Sequence, residues 1–353
     1  MTRRLVIWLF LLIVLVALVA AAATTGASTS TSIASPLTRD GVSYAGTVVQ
    51  EGDGDGRVAI IPVYNAITDG DTPPGGGATG GDDIVRMIDE IAANEDDWDG
   101  VILELDTPGG SVLASEEITD ALERLKAGTD IKLLAWMRGT AASAGYYISA
   151  PTDRIVASTN TFTGSIGVIL EYYVVEELAQ EIGVESVTIK SGKLKDIGNP
   201  LRKATAEERE LFQTIIDEAY GEFVNVVADG RDMDEDRVRE LADGRIYTGK
   251  QAKENGLVDV LGLRRTAYDE MADLLGDGDA GDELNVVTYS RTYGFLESLS
   301  AGAQPTLDTL AAAKTVGGVL RGDAASVREL SQAPASQRLG GGFAHLEYRA
   351  VIG

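Results

Sequence analysis

The chain has 353 residues, of which 30 are basic and 55 acidic, giving a net charge of -25, and it contains no cysteine. The missing cysteine excludes disulfides, thiol nucleophiles, thiolate zinc sites and a lipid-modified cysteine anchor, and the charge disfavours nucleic acid and anionic membrane surfaces as partners of the soluble part. Only nine of the basic residues are lysine. An acid-rich, lysine-poor surface is that of a protein working in high salt, where carboxylates hold water while ions screen longer-range forces.

Leu5 to Ala23 is a run of 19 residues without a charge, preceded by Arg3 and Arg4. It is long enough to cross a bilayer as a retained helix, with residues 1–4 in the cytoplasm and everything after Ala23 outside. A cleavable signal peptide is the rival, since Ala20 to Ala23 offers small residues for cleavage. Residues 24–57, rich in Thr, Ser, Gly and Asp, read as a flexible, solvated linker, and the folded domain is expected over 58–290. Its first strand is Val58 to Val63. A Gly/Asp/Pro-rich segment, 68–82, then reads as a mobile loop, and Asp83 to Asn94 as a helix with Ile84, Met87, Ile88 and Ile91 on one face.

The strand Val101 to Leu105 ends in Asp106-Thr107-Pro108-Gly109-Gly110-Ser111 and is followed by a helix from Val112 to Lys126. The strand Leu133 to Met137 runs into Gly139-Thr140-Ala141-Ala142-Ser143-Ala144-Gly145, which turns sharply into another helix. This alternation predicts an α/β fold, a parallel sheet flanked by helices, with both glycine turns at the edge where such sheets bind ligands. A short strand, Arg154 to Ser158, precedes the turn Thr161 to Val168. A helix over about 173–182, a strand Val187 to Lys190 and a loop with Lys193 and Lys195 come next. The long helix Ala206 to Ala228 has Thr205 as its N-cap. Helices over about 234–242, 249–255 and 263–275 and a strand near 284–289 close the domain. Residues 291–353 form a C-terminal extension without a clear pattern.

The hydroxyl of Ser143 sits among Gly and Ala, where a peptide backbone can approach, and the first amides of its helix point toward any oxyanion formed there. Close helix packing alone would also explain so many small residues. A serine hydroxyl is inert without a base. The only histidine, His345, lies in the C-terminal tail, which disfavours both a Ser-His-Asp triad and a histidine metal site. Carboxylates, tyrosine and lysine remain, and a desolvated, neutral lysine can do the work. Lys126 and Lys132 flank a surface turn, and Lys203, Lys250, Lys253 and Lys314 lie in polar surroundings. Lys190, Lys193 and Lys195 are left, each also explicable as a solvated charge. Ser111 reads as a helix cap, Ser149 as helix packing, and Asp106 as fixing its own turn.

Five motifs in this order carry a resemblance over about Val58 to Leu263. They are Asp106 to Ser111, Ala141-Ala142-Ser143-Ala144-Gly145-Tyr146-Tyr147, Thr163-Gly164-Ser165-Ile166-Gly167, Ser191-Gly192-Lys193-Leu194-Lys195-Asp196-Ile197-Gly198, and Gly244 to Ala252 with Gly256-Leu257-Val258-Asp259. Together they resemble the signal peptide peptidase A (SppA) family of membrane-anchored serine peptidases, related in fold to the Clp protease and the crotonases. The resemblance implies a Ser-Lys dyad with Ser143 as nucleophile and Lys195 as base, Lys193 being the runner-up, and Ser165 orienting the lysine. The amides of Gly110 and Ala144 would form the oxyanion hole; the family often has Gly where Ala144 stands. It implies no cofactor or metal, substrates such as remnant signal peptides, and ring-like homo-oligomers in which neighbouring subunits complete each site. Two alternatives are a narrower peptidase acting on a stomatin-type membrane partner and an idle crotonase-like scaffold. The tail Phe343 to Gly353 could cover a subunit contact or occupy the groove as a built-in product.

Overall fold

Strands that are apolar on both faces and alternate with helices bury themselves most completely as a parallel sheet covered on each side. The computed structural model describes residues 33–276 and 281–293, which from Ala34 onward lie in one structural unit. The first strands are β1 (Ile33–Arg39), β2 (Val42–Gln50), β3 (Arg57–Tyr64), β4 (Ala66–Thr68) and β5 (Ala78–Gly80). Helix α1 (Gly81–Ala93), β6 (Gly100–Thr107), α2 (Val112–Gly128), β7 (Lys132–Ala142) and α3 (Ala144–Ser149) follow. Next come β8 (Arg154–Ala157), β9 (Phe162–Gly164), α4 (Glu176–Glu181), α5 (Ala206–Arg231), α6 (Glu235–Leu241) and β10 (Ile246–Thr248). Helix α7 (Gly249–Glu254), β11 (Val260–Leu261), α8 (Arg264–Leu275) and β12 (Asn285–Arg291) complete the described chain.

The main sheet has the order β1-β2-β12-β3-β6-β7-β8-β11, with β9 continuing beside the end of β7 and β10 beside β9. From β12 through β11 neighbouring strands are parallel, with Ile60 opposite Ile102, Ile102 opposite Leu134 and Trp136 opposite Val156. Alternate residues divide between two cores. Ala59, Ile61, Leu103, Leu105, Ala135 and Met137 pack with α1, α2, α3 and α5. Val58, Ile60, Ile102, Leu134 and Val156 pack on the other face against Ala267, Tyr268, Met271 and Ala272 of α8. Both faces being buried explains why these strands read as apolar runs rather than alternating ones. Truncating a residue such as Leu103, fully buried, to alanine would cost about 2–5 kcal/mol.

Three expectations change. Residues 33–50, expected within the 24–57 linker, form β1 and β2, joined by Asp40 and Gly41 with φ of 52° and 79°, as a two-residue turn demands. These strands lie at the sheet margin, with β2 pairing antiparallel to β12. The expected strand Val187 to Lys190 does not form; Val187 and Ile189 are exposed, and among the described residues no strand pairs with them. The helix expected over 173–182 shortens to α4. Segment 5–23, the expected anchor, lies outside the described residues, as does the tail beyond Tyr293. Among the described residues no helix is long and apolar enough to cross a membrane.

Candidate active site

Ser143 occupies the one-residue link between β7 and α3, at φ 55° and ψ -119°. A side chain rarely adopts that region, and the surroundings must hold it there. Its amide donates to the Gly164 carbonyl at 2.8 Å, and its carbonyl accepts from the amides of Tyr146 and Tyr147 at 2.8 and 2.9 Å. Below it, the Tyr146 hydroxyl donates to the Leu257 carbonyl at 2.9 Å and Tyr147 packs on Phe223. Gly145 is required: a β-carbon there would come within 2.7 Å of Thr107 Cγ2, so only glycine lets α3 approach the end of β6.

The Pro108-Gly109-Gly110 turn lies directly against Ser143. A β-carbon on Gly109 would sit 2.8 Å from Ser143 Cβ and 3.0 Å from the Ala144 nitrogen. Gly110 is bridged to Ile67 of β4: the Ile67 amide donates to Gly109 O at 3.0 Å and the Ser111 amide donates to Ile67 O at 2.8 Å. In such a bridge the Gly110 amide faces away from Ile67. Ala144 is the first residue of α3, so its amide has no partner within the helix. Both amides lie where the two glycine turns meet, next to Ser143. Ser143 itself is 1 % exposed.

The supporting residues behave largely as their types dictate. Ser111 caps α2, accepting from the Ala114 amide, and its hydroxyl also donates to Asp69. Asp106 does more than fix its own turn, because Oδ1 accepts from the Thr140 amide at 3.0 Å and so ties the end of β6 to the end of β7. Ser149 donates to the Gly145 carbonyl inside α3. Asp69 and Ile67 were not legible as site residues, since Asp69 falls at the start of a segment, 68–82, read as a mobile loop and Ile67 just before it. That loop is anchored: Thr72 donates its amide to buried Asp83 at 2.8 Å, and Asp71 pairs with Arg86 and Arg291.

Ser165 follows Gly164 in a turn where both have positive φ, 78° and 50°. A β-carbon on Gly164 would lie 2.6 Å from the Tyr247 ring, and the Ser165 amide donates to the Arg245 carbonyl at 2.8 Å. Ser143 and Ser165 are thus brought together through the Gly164 carbonyl. No hydrogen bond joins Lys195 to Ser143 or Ser165 among the described residues. Lys195 lies exposed in the turn after Gly192, and no hydrogen bond or ion pair of its side chain occurs among the described residues. The neighbouring lysines differ: Lys190 pairs with Asp196 at 2.5 Å and Lys193 with Glu207. Arg202 binds Asp196 at 2.9 Å and Glu208 on the first turn of α5, fastening this arm to the helix. Arg202 and then Lys190 hold the Asp196 carboxyl well below the usual carboxylate range, and Arg202, with the Thr205 amide, holds Glu208 at about 2.

The model of peptidase family S49 matches residues 126–276, which include Ser143, Ser165 and Lys195. A putative protease of Synechocystis is 42 % identical over 220 residues, covering 62 % of this chain and 75 % of that protein. The chain belongs to peptidase family S49. This S49 chain is also 48 % identical over 172 residues to a putative signal peptide peptidase SppA of Enterococcus faecium, covering 49 % of the chain and 50 % of the relative. Protease 4 of Salmonella typhi is 37 % identical over 223 residues, 63 % of the chain and 35 % of the relative. The matched stretch therefore spans half of the Enterococcus protein and about a third of the Salmonella one. S49 is a family of serine proteases, and the matched residues include Ser143 in its strained turn.

Proposed function

We propose that this chain is a membrane-anchored endopeptidase on a crotonase- and Clp protease-like fold, which cleaves remnant signal peptides and similar apolar peptides with a Ser143-Lys195 dyad. The observation that carries this is the strained Ser143 turn packed against the Pro108-Gly109-Gly110 turn, which supports the Gly110 and Ala144 amides as an oxyanion hole. Lys195 is favoured over Lys190 and Lys193 because both of those are neutralised by carboxylates. In the reaction, the neutral Lys195 amine accepts the Ser143 proton as Oγ adds to the scissile carbonyl carbon. The carbonyl oxygen takes the negative charge and is held by the two amides. Collapse breaks the C–N bond, Lys195 returns the proton to the leaving amine, and an ester remains on Ser143. Water then adds to that ester, passing a proton to Lys195, and the second collapse releases the acid and restores the serine hydroxyl.

An exposed ammonium stays charged, so the base must be desolvated to act. Its arm carries Tyr173, Leu178, Ile182, Val187 and Ile189, all exposed, as a surface that further copies of the chain would cover. In a ring-like homo-oligomer a neighbouring copy completes each site and desolvates Lys195. Residues 5–23 anchor the assembly in the bilayer, with the catalytic domain outside the cytoplasm. Ser143→Ala and Lys195→Ala in the full chain each abolish cleavage of an apolar peptide while circular dichroism stays unchanged; full activity in either variant sinks the dyad. Mixing the two dead variants under exchange conditions restores part of the activity where serine and lysine come from different copies.

A further inference from the structure

The residue after the proposed base is a carboxylate. Asp196 follows Lys195 directly, and a carboxylate close to an amine favours the ammonium, which is the wrong form for a base. Consecutive Cα atoms stand about 3.8 Å apart, so the two charges lie roughly one screening length apart at 0.1 M salt and interact more strongly once water is excluded. The arm commits this carboxylate elsewhere. Arg202 donates Nε to Asp196 Oδ2 and Nη2 to Oδ1, both at 2.9 Å, and Nη2 also reaches the Asp196 carbonyl at 2.9 Å. Lys190 Nζ donates to Oδ1 at 2.5 Å and to the Lys193 carbonyl at 2.9 Å. Arg202 is fixed in turn by Glu208, whose carboxylate closes the capping box of α5 with Thr205. Two cations and two carboxylates therefore form a cluster that is neutral as a whole, around an Asp196 side chain only 10 % exposed.

The other charges around the arm are mostly paired as well. Lys193 meets Glu207 of α5, Lys203 meets Glu177 of α4, and Glu176 accepts from the Lys203 amide. Glu185 lines the same hollow as Lys190, Asp196 and Arg202. The turn itself is closed by backbone bonds from Lys195 N to Gly192 O at 3.2 Å and from Asn199 N to Asp196 O at 3.1 Å. Asp196 is thus drawn in toward Arg202 while Lys195 stays exposed.

We infer that Arg202 and Lys190 are positioning residues for the reaction: they take up the charge of Asp196 and fix its turn, so that Lys195 can lose its own proton and accept that of Ser143. This rests on the proposed Ser143-Lys195 dyad and adds what governs its base. Removing either cation leaves the cluster negative, favours the Lys195 ammonium and raises the pH at which the base becomes active. Removing the Asp196 charge leaves the cluster positive, favours the neutral amine and lowers that pH. At an effective dielectric of about 20, a unit charge about 10 Å away moves an amine by about one pH unit.

The test is the pH profile of kcat/KM for an apolar peptide cleaved by the assembled full-length protein, whose acid limb reports the base of the free enzyme. Arg202→Gln moves that limb up by about 0.5–1 pH unit, and Lys190→Gln, which leaves the Arg202 bonds in place, moves it the same way. Asp196→Asn moves it down, and Asp196→Asn combined with Arg202→Gln returns it close to the wild-type position. A clasp that only holds the arm together would lower activity by one factor at every pH. Limbs at the wild-type pH in both Lys190→Gln and Asp196→Asn, with native size by sedimentation, would overturn the tuning and leave the dyad standing. Full cleavage by Lys195→Ala overturns the dyad and the tuning with it.

Discussion

Gly110→Ala probes the proposed oxyanion hole without touching a reacting group. A β-carbon at this position would sit 1.9 Å from Ile67 O and 2.6 Å from Ile67 C and N, where real contacts do not fall below 3.0 Å. The strand must therefore move by about 1 Å, a displacement able to cost about a hundredfold when it misplaces a catalytic group. Ile67 cannot simply retreat, because β4 is paired with β5 and the loop between them is tied to Asp83 and Arg86. Removing one oxyanion donor typically lowers kcat by about 10²–10³, or about 2.7–4 kcal/mol of transition-state stabilisation. The expected result is a loss of that size in kcat with KM changed far less, since the donor acts on charge that develops only after attack. Steady-state kinetics on an apolar peptide, beside a thermal melt to confirm folding, measures both. A folded Gly110→Ala protein with kcat within threefold of wild type would refute the assignment of this amide.

Ser143→Gly should abolish cleavage yet raise stability by about 1 kcal/mol, because φ 55° and ψ -119° strain any side chain. An unchanged or lower melting temperature would show that the turn stores no strain. Glu208 and Asp196 have depressed pKa values, so their pairing with Arg202 contributes fully above the ordinary carboxylate range. That contribution is lost as pH falls from about 4.5 toward 2. Pepsin should therefore begin to nick the 187–204 arm within that window before the sheet unfolds, and Arg202→Gln should expose the arm to proteases at pH 7 and lower kcat/KM; equal resistance in both proteins would count against the clasp. A net charge of -25 predicts a melting temperature that rises between about 0.1 and 2 M KCl as repulsion is screened, and a flat or falling profile would remove the case for a high-salt habitat.

Where structure follows from neighbours in the chain, the sequence was sufficient. Apolar runs such as Val101 to Leu105 became parallel strands, and Ser111 and Thr205 became caps because each has its partner amide three residues ahead. The opposed glycine turns were legible for the same reason, since each is short and follows its own strand. Residues 33–50 were not, because the edge that β2 pairs with comes from β12, more than two hundred residues away. The loop at 68–82 looked mobile because its anchor, Arg291, is 220 residues from Asp71. Val187 to Lys190 shows the converse. The β-branched pattern is present, but among the described residues no strand pairs with it.

The insertion of β12 between β2 and β3 has a consequence for the order of assembly. Strands at 42–50 and 57–64 are close in sequence, yet the one that joins them is the last described segment of the domain. Until residues 285–291 arrive, β2 and β3 face each other with open edges, a contact that closes only at large sequence separation and therefore late. The same strand brings Arg291 to Asp71 and Asp83, bracing the loop that follows Ile67 and, through Ile67, the Gly110 strand. The edge that carries Ser143 thus receives its last brace when the final strand is threaded into place. A nascent or truncated chain carries the serine long before it has the frame that could arm it.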